Sequence, residues 1–264
     1  MAEASFLVCP ACRRIEDGRL VSHPLERGPL GLRCPGCGAD HPVIDEIPLV
    51  LRDLDAWLAE EAPTLLCRQD LPAPLLARLA WGAGGTLWRD QQRLAIYHHS
   101  PDGPLHAWLR QVLVGLTGAL LELGCGTGHH GDRRVIGLDL HWGSLRQHPG
   151  PRVLADALDP PFPGASFDAV LAINLLDSCR DPSLLLQQAD ALLAPGGTLV
   201  LASPFHWQEA VTPRTRWMQP EQVDAFLHAR GYRLERGEAD WTLALDERTS
   251  TTHRCATWIA RRDR

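Results

Sequence analysis

Apolar positions in the second half of the chain gather into short continuous runs, each closed by glycine, proline or a polar residue. Residues 120–123, 135–139, 152–155, 167–174 and the run ending at Ser203 have the length and continuity of strands buried on both faces. A helix over 182–193 separates the fourth and fifth runs, and Pro195-Gly196-Gly197 turns the chain into the fifth. Strands alternating with helices predict an α/β domain around an open, mostly parallel sheet, here over residues 117–264. Only eleven residues, 124–134, separate the first strand from the second. A parallel crossover usually needs about a dozen or more, so His129-His130-Gly131-Asp132 make one helical turn at most. The next crossover, 140–151, is also short and carries Trp142. Both predict a thin wall on one face of the sheet and a site that depends on another part of the chain as its lid.

Residues 53–116 read as a helical connector. Asp53 opens it with the acidic start that helix N-termini favour. Pro63, Pro72, Pro74 and the glycines of 82–85 break it into pieces, with further helices over 87–97 and 105–116. Between those two helices stand Tyr97, His98 and His99, placed to reach into a site from the connector or simply to end a helix near its negative pole. Residues 1–52 carry two Cys-x-x-Cys pairs, Cys9/Cys12 and Cys34/Cys37, separated by 21 residues. Such knuckles bring four thiolates to one tetrahedral centre that leaves no open position for water, so the metal would be structural. Zinc is the expected metal, with iron as the alternative. Cys67, Cys125, Cys179 and Cys255 are scattered and read as small core residues.

Composition narrows the picture. The net charge is −6, which gives the whole chain no pull toward nucleic acid, and all 26 basic residues are arginine. The hydrophobic share of 45% suffices for a sizeable core. No charged-then-apolar leader and no apolar run of membrane-spanning length is seen, so a soluble cytoplasmic protein is expected, monomer or homodimer.

The candidate chemistry centres on Glu122-Leu123-Gly124-Cys125-Gly126-Thr127-Gly128, a strand end running into a loop with glycine at every second position. Glycines there let the backbone turn sharply and lie against a ligand. The second strand ends on Asp139, where nucleotide-binding sheets place an acid for ribose hydroxyls. The loop resembles the signature of class I methyltransferases that use S-adenosylmethionine (SAM). That resemblance implies a Rossmann-like seven-stranded methyltransferase sheet, with the backbone of Gly124, Cys125, Gly126 and Gly128 against the methionine part of SAM. It further implies Glu122 at the cofactor, Asp139 on the ribose, Asp156 with Ala157 at the adenine, and S-adenosylhomocysteine as product. The shortened crossover after Gly128 departs from the family.

Residues 41–51, His-Pro-Val-Ile-Asp-Glu-Ile-Pro-Leu-Val-Leu, with the two knuckles before them, resemble the small zinc-ribbon protein that activates several RNA and protein methyltransferases as a separate subunit. In that family this segment is a strand that docks. A unit of about 50 residues has little core of its own, so the metal supplies much of its folding energy. We expect this domain to stabilise the enzyme by packing on the connector.

The acceptor is read from what leaves the fourth and fifth strands. Asn174 and Asp177 follow the fourth, at the end of the sheet where open α/β folds bind ligands. Phe205, His206 and Trp207 follow the fifth and offer flat faces for a ring, or alternatively pack on the sheet edge. Asn174-Leu175-Leu176-Asp177 lacks the Asn/Asp-Pro-Pro-Tyr pattern of adenine-N6 enzymes. Residues 171–177, 195–207 and 211–217 resemble the C-terminal methyltransferase part of ovothiol synthases, which implies N-methylation of an imidazole such as a thio- or selenohistidine. An imidazole nitrogen attacks without a base; an amine or hydroxyl would need one, from Asp177, His206 or His99, with Tyr97 within reach of donor or acceptor. Two alternatives remain at this point. One is an RNA methyltransferase gripping RNA through Arg13 and Arg14 of the zinc unit. The other is a non-catalytic activator of another methyltransferase.

Overall fold

The computed structural model describes residues 6–16, 19–66, 103–244, 248 and 250–262. Tyr97, His98 and His99, and with them the helix expected over 87–97, lie outside the described residues. The N-terminal unit is built from short antiparallel strands. β1 (Arg14–Glu16) pairs with β2 (Arg19–Val21), and β3 (Glu26–Gly28), β4 (Gly31–Arg33), β5 (Asp40–Ile44) and β6 (Ile47–Pro48) form a four-stranded sheet. Helix α1 (Leu54–Leu66) follows, and α2 (Pro104–Val114) ends the connector.

The rest of the chain forms one seven-stranded sheet. Its strands are β7 (Leu120–Leu123), β8 (Val135–Asp139), β9 (Arg152–Leu154), β10 (Phe167–Ile173), β11 (Leu193–Ser203), β12 (Tyr232–Ala244) and β13 (Ser250–Arg262), in the order β12-β13-β11-β10-β7-β8-β9. From β11 to β9 every pairing is parallel, while β13 runs against both of its neighbours. The order reverses beside β7, which puts a crevice outside the carboxyl ends of β7 and β10. α3 (Trp142–Leu145) is a single turn, capped by the His141 side chain, which accepts from Ser144 N. α4 (Pro182–Leu192) starts on Asp181, whose carboxylate accepts from Leu184 N, and α5 (Pro220–Ala229) starts on a reciprocal Gln219/Gln222 capping box.

The two faces of the sheet are covered differently. Leu109, Leu113 and Leu116 of and after α2 pack on Leu120, Val135, Ala169, Leu171 and Val200. On the opposite face α4 packs Leu185, Leu186 and Ala189 on Leu121, Val170, Ala172 and Leu199. No helix stands between β7 and β8, where residues 128–134 pass over in turns. The exposed end of the sheet is instead closed by the N-terminal unit. Leu49 bridges Leu154 in parallel, Val50 N donates to Leu154 O at 2.8 Å, and Val8 N donates to Pro161 O at 2.8 Å. Ile44, Ile47, Leu49 and Leu51 join Leu54, Trp57 and Leu58 of α1 over Cys125, Trp142, Leu145 and Leu154.

This differs from the packing expected. The unit does meet the connector, through α1, but it also docks on the β9 edge and the loop behind it. The run 47–51 is apolar on every side, so its pattern alone does not say what it covers. Arg13 is part of the dock. Its guanidinium is buried, 3.5 Å from Asp159, a carboxylate also held by Arg52 at 2.9 Å. Asp159→Ala should strand that buried cation and cost about 3 kcal/mol, whereas adding Arg13→Met should recover most of it. Urea unfolding midpoints of the single and double variants check this.

Candidate functional site

A cavity of about 520 Å³ opens at the carboxyl ends of β7, β8 and β10, a size suited to a nucleotide-like ligand with a small partner. Its floor is the glycine loop. Gly124, Gly126 and Gly128 have φ of 68°, 55° and 69°, a region L side chains rarely enter. A Cβ on Gly128 would strike the His148 ring at 2.5 Å, whereas one on Gly126 would meet nothing within 4 Å. Gly126 is thus a stretch of main chain left bare by the described residues. The loop is pinned by Gly124 N and Cys125 N, both donating to Leu138 O at 2.8 and 3.0 Å.

Asp139 closes this floor. Its Oδ2 accepts from Gly126 N and its Oδ1 from His141 N, each at 2.8 Å. Each oxygen keeps a further lone pair, so the carboxylate is held rigidly and still able to receive hydroxyls. Glu122 also borders the cavity, buried, with Oε2 2.9 Å from His130 Nε2. Burial pushes its carboxyl above the usual range, and His130 pulls it back. Cys125 lines the cavity but turns its buried thiol toward Trp142, Leu145 and Leu154, and burial pushes that thiol well up. On the far wall Asp156 receives Leu158 N at 2.8 Å and Arg180 Nη2 at 2.6 Å, and Ala157 lies beside it.

The other end of the cavity is formed by Asn174, Asp177, Gln208, Val211 and Trp241. Asn174 has φ of 54°, the turn that bends the chain out of β10, and its Oδ1 lies 3.5 Å from Cys255 Sγ. Asp177 is 4% exposed; Oδ2 accepts from His206 N at 2.7 Å, while Oδ1 is buried without a hydrogen bond among the described residues. Burial raises its pKa. Phe205, His206 and Trp207 do not line the cavity. Phe205 packs edge-on to Trp258, Trp207 stacks on Trp217 at 6.1 Å, and the exposed His206 ring lies 5.0 Å from His253. His206 therefore meets the site through its main-chain N–H, which holds Asp177.

Several lining residues carry no sequence signal. Trp241 arrives from the β12–β13 hairpin, and His106 and Leu109 from α2, so the end of the connector does form part of the wall. His148, buried under Gly128, follows α3 and stands far from the loop in sequence.

The four N-terminal cysteines converge. Cys9 Sγ is 3.6 Å from Cys37 Sγ, and Cys12 Sγ is 3.8 Å from Cys34 Sγ. Four thiolates around a tetrahedral zinc stand about 3.8 Å apart, as bonds of about 2.3 Å require. Cys37 N donates to Cys34 Sγ at 3.5 Å, which orients one ligand. Burial drives the Cys9 thiol far up and Cys12 up to about 11, so a cation is needed before all four can ionise. The donor set fits zinc.

Residues 121–201 match the model of a methyltransferase domain family, the stretch from β7 to β11 that carries the glycine loop, Asp139 and Asp177. Over this stretch the chain is similar to a methyltransferase domain. The ajmaline N-methyltransferase of Rauvolfia serpentina is 28% identical over 69 residues, 26% of this chain and 23% of that protein. The match thus spans about a quarter of that relative's length. Among solved structures, one from work on the conversion of a disulfide bond into a thioacetal group during echinomycin biosynthesis has a TM-score of 0.48 at 18% identity, covering 61% of this chain and 82% of that one. A SAM-dependent methyltransferase described as a possible histamine N-methyltransferase of Thermotoga maritima has a TM-score of 0.45 at 16% identity, covering 67% of this chain and all of that one. Among the described residues, no helix is long and apolar enough to cross a membrane.

Burial of His148 has a measurable consequence for the domain. Its pKa is pulled down to about 4, chiefly by desolvation. The unfolded chain takes up this proton near pH 6.5, the folded chain only near 4, so the stability is fully present above about 6.5 and drains as pH falls toward about 4. His148→Gln should remove up to about 3 kcal/mol of the acid sensitivity between those limits. Unfolding free energies of both chains across that window check it.

Proposed function

We propose that this protein transfers a methyl group from SAM to a ring nitrogen of a small imidazole acceptor of the histidine type, such as a thio- or selenohistidine. The observation that carries the reading is the cavity's two unlike ends: bare main chain with a pinned carboxylate at Asp139, and a buried, half-used carboxylate at Asp177. When bound, SAM supplies an electrophilic methyl group on sulfur. Gly124 to Gly128 and Asp139 would hold the donor, Asp156 and Ala157 would border its adenine, and Asn174 stands between the two ends. Asp177 Oδ1 would accept the N–H of the acceptor's second ring nitrogen. That bond orients the ring and favours attack by the first nitrogen, and it returns to the buried carboxyl the partner that burial has denied it. Trp241 would offer the flat wall. Most of the acceleration then comes from alignment, because an imidazole lone pair needs no general base.

The resemblance of residues 171–177, 195–207 and 211–217 to the ovothiol-synthase methyltransferase supports the imidazole, and the match to an N-methyltransferase supports nitrogen. The reading as an RNA enzyme leans on Arg13 and Arg14; Arg13 is buried against Asp159, which leaves only the exposed Arg14 to support it. We further propose that Cys9, Cys12, Cys34 and Cys37 bind one structural zinc, in a domain like the small activator protein but here joined to its enzyme.

Calorimetry with SAM should show binding by the wild-type chain and at least about tenfold weaker binding by Asp139→Ala, the loss of a charge-assisted pair. Mass spectrometry should then find a singly methylated product from thio- or selenohistidine. Binding without such a product rejects the acceptor; no SAM binding rejects the enzyme and leaves the scaffold reading. Metal analysis should find one zinc per chain. Its removal by a strong chelator should lower the unfolding temperature, since the small domain's folding depends on it.

A further inference from the structure

Behind the glycine loop, three buried groups meet that the reaction above does not use. Glu122, His130 and His148 are 4%, 5% and 1% exposed, and each brings a side-chain atom within 4.8 Å of the others. A carboxylate with two imidazoles invites a metal assignment, but the hydrogen bonds argue otherwise. His130 Nδ1 accepts from Asp132 N at 2.8 Å, and His148 Nδ1 accepts from Gly150 N at 3.1 Å. An imidazole whose Nδ1 lone pair is taken by a backbone N–H carries its hydrogen on Nε2, and Nε2 is then a donor with nothing to give a metal.

The geometry points to a different role: His130, with Nε2 2.9 Å from Glu122 Oε2, and His148, with a ring nitrogen within 4.8 Å, position the Glu122 carboxylate electrostatically against the donor end of the cavity. The inference rests on the reading of that end as the SAM site. His130 Nε2 sits 2.9 Å from Glu122 Oε2, with its N–H off the line between them, so Oε2 and both Nε2 atoms have no straight partner among the described residues. Polar atoms left this way in a dry pocket cost free energy unless they serve one another electrostatically. Burial lowers the affinity of the His130 ring for a proton, and Glu122 more than restores it. His148, by contrast, is kept neutral at physiological pH by burial, so it faces the carboxylate as a dipole and not as a charge. The other charged groups acting on the trio are Asp139 on Glu122, Asp132 on His130 and Arg152 on His148.

The short crossover makes this possible. With no helix between β7 and β8, residues 128–134 fold back over the loop and bring His130 onto Glu122. His148 comes from the other side, under Gly128 and Gly137. Glu122 thus presents a fixed pair of acceptor oxygens to the cavity, suited to a ligand's ammonium or other N–H donor. Both histidines act through Glu122 and neither is a catalytic residue.

Two measurements on the full chain test this. In wild-type protein near neutral pH, ring-nitrogen NMR should show the hydrogen on Nε2 of both His130 and His148. A hydrogen on Nδ1 alone, or shifts of a metal-bound ring, would overturn the assignment. For SAM affinity, His130→Phe should bind about tenfold more weakly, the effect of leaving a buried acceptor unpaired. His130→Gln, which restores an N–H near the same place, should stay within about threefold of wild type, and His130→Phe should add little in a Glu122→Gln background. Equal losses from Phe and Gln, or an undiminished loss in that background, would reduce His130 to a packing residue. If the wild type itself binds no SAM, the proposed function fails, and the NMR result alone still judges the hydrogen-bond assignment.

Discussion

Two missing helices govern this molecule. The crossovers on either side of β8 are too short to lay full helices over the sheet, so the β8–β9 end would expose Cys125, Trp142, Leu145 and Leu154. An α/β sheet is stable only when both faces are covered, and a bare edge strand invites foreign pairing. The chain resolves both problems with its own N-terminus. The segment 44–58 covers the apolar patch, and Val50 continues the hydrogen bonding of the sheet beyond β9 through Leu154 O.

This arrangement couples the cysteine cluster to the cavity by direct contact. The knuckle that holds Cys9 and Cys12 ends on Arg13, and Arg13 lies against Asp159. Asp159 belongs to the loop that begins with Asp156 and Ala157 at the cavity wall. Val8 grips the same loop at Pro161, and Trp57 Nε1 donates to Leu140 O at 3.2 Å beside Asp139. A small domain that could not fold on its own apolar area therefore serves as the outer wall of the site, while the sheet gives it a surface to fold against.

Much of this was legible in the residue pattern, for physical reasons. The five parallel strands are legible nearly to the residue because a strand buried on both faces must be continuously apolar, whereas β12 and β13 were not placed from the sequence. β8 was found as Val135–Asp139 and β10 within one residue of its end. The glycine loop was legible because glycine enters positive φ at no steric cost, so three of them at alternate positions mark a sharply turning loop. What was not legible depends on meetings distant in sequence. His130 and His148 carry no spacing that announces a shared partner. Trp241 reaches the cavity only because a long antiparallel hairpin folds back past β11. Phe205 and Trp207, which read as a platform for a ring, point instead into aromatic packing with Trp258 and Trp217. Flat side chains after a strand fit either use, and only the backbone turn at Phe205, with φ of 52°, decides between them.

The central claim is that the N-terminal unit and the sheet are one cooperative structure, and amide hydrogen exchange at Val50 measures it most directly. If the unit is a wall of the fold, the Val50 amide, bonded to Leu154 O, exchanges as slowly as the Leu121 amide in the middle of the sheet, both through global unfolding. Exchange at Val50 by orders of magnitude faster than at Leu121 would show the unit opening on its own and would contradict the account.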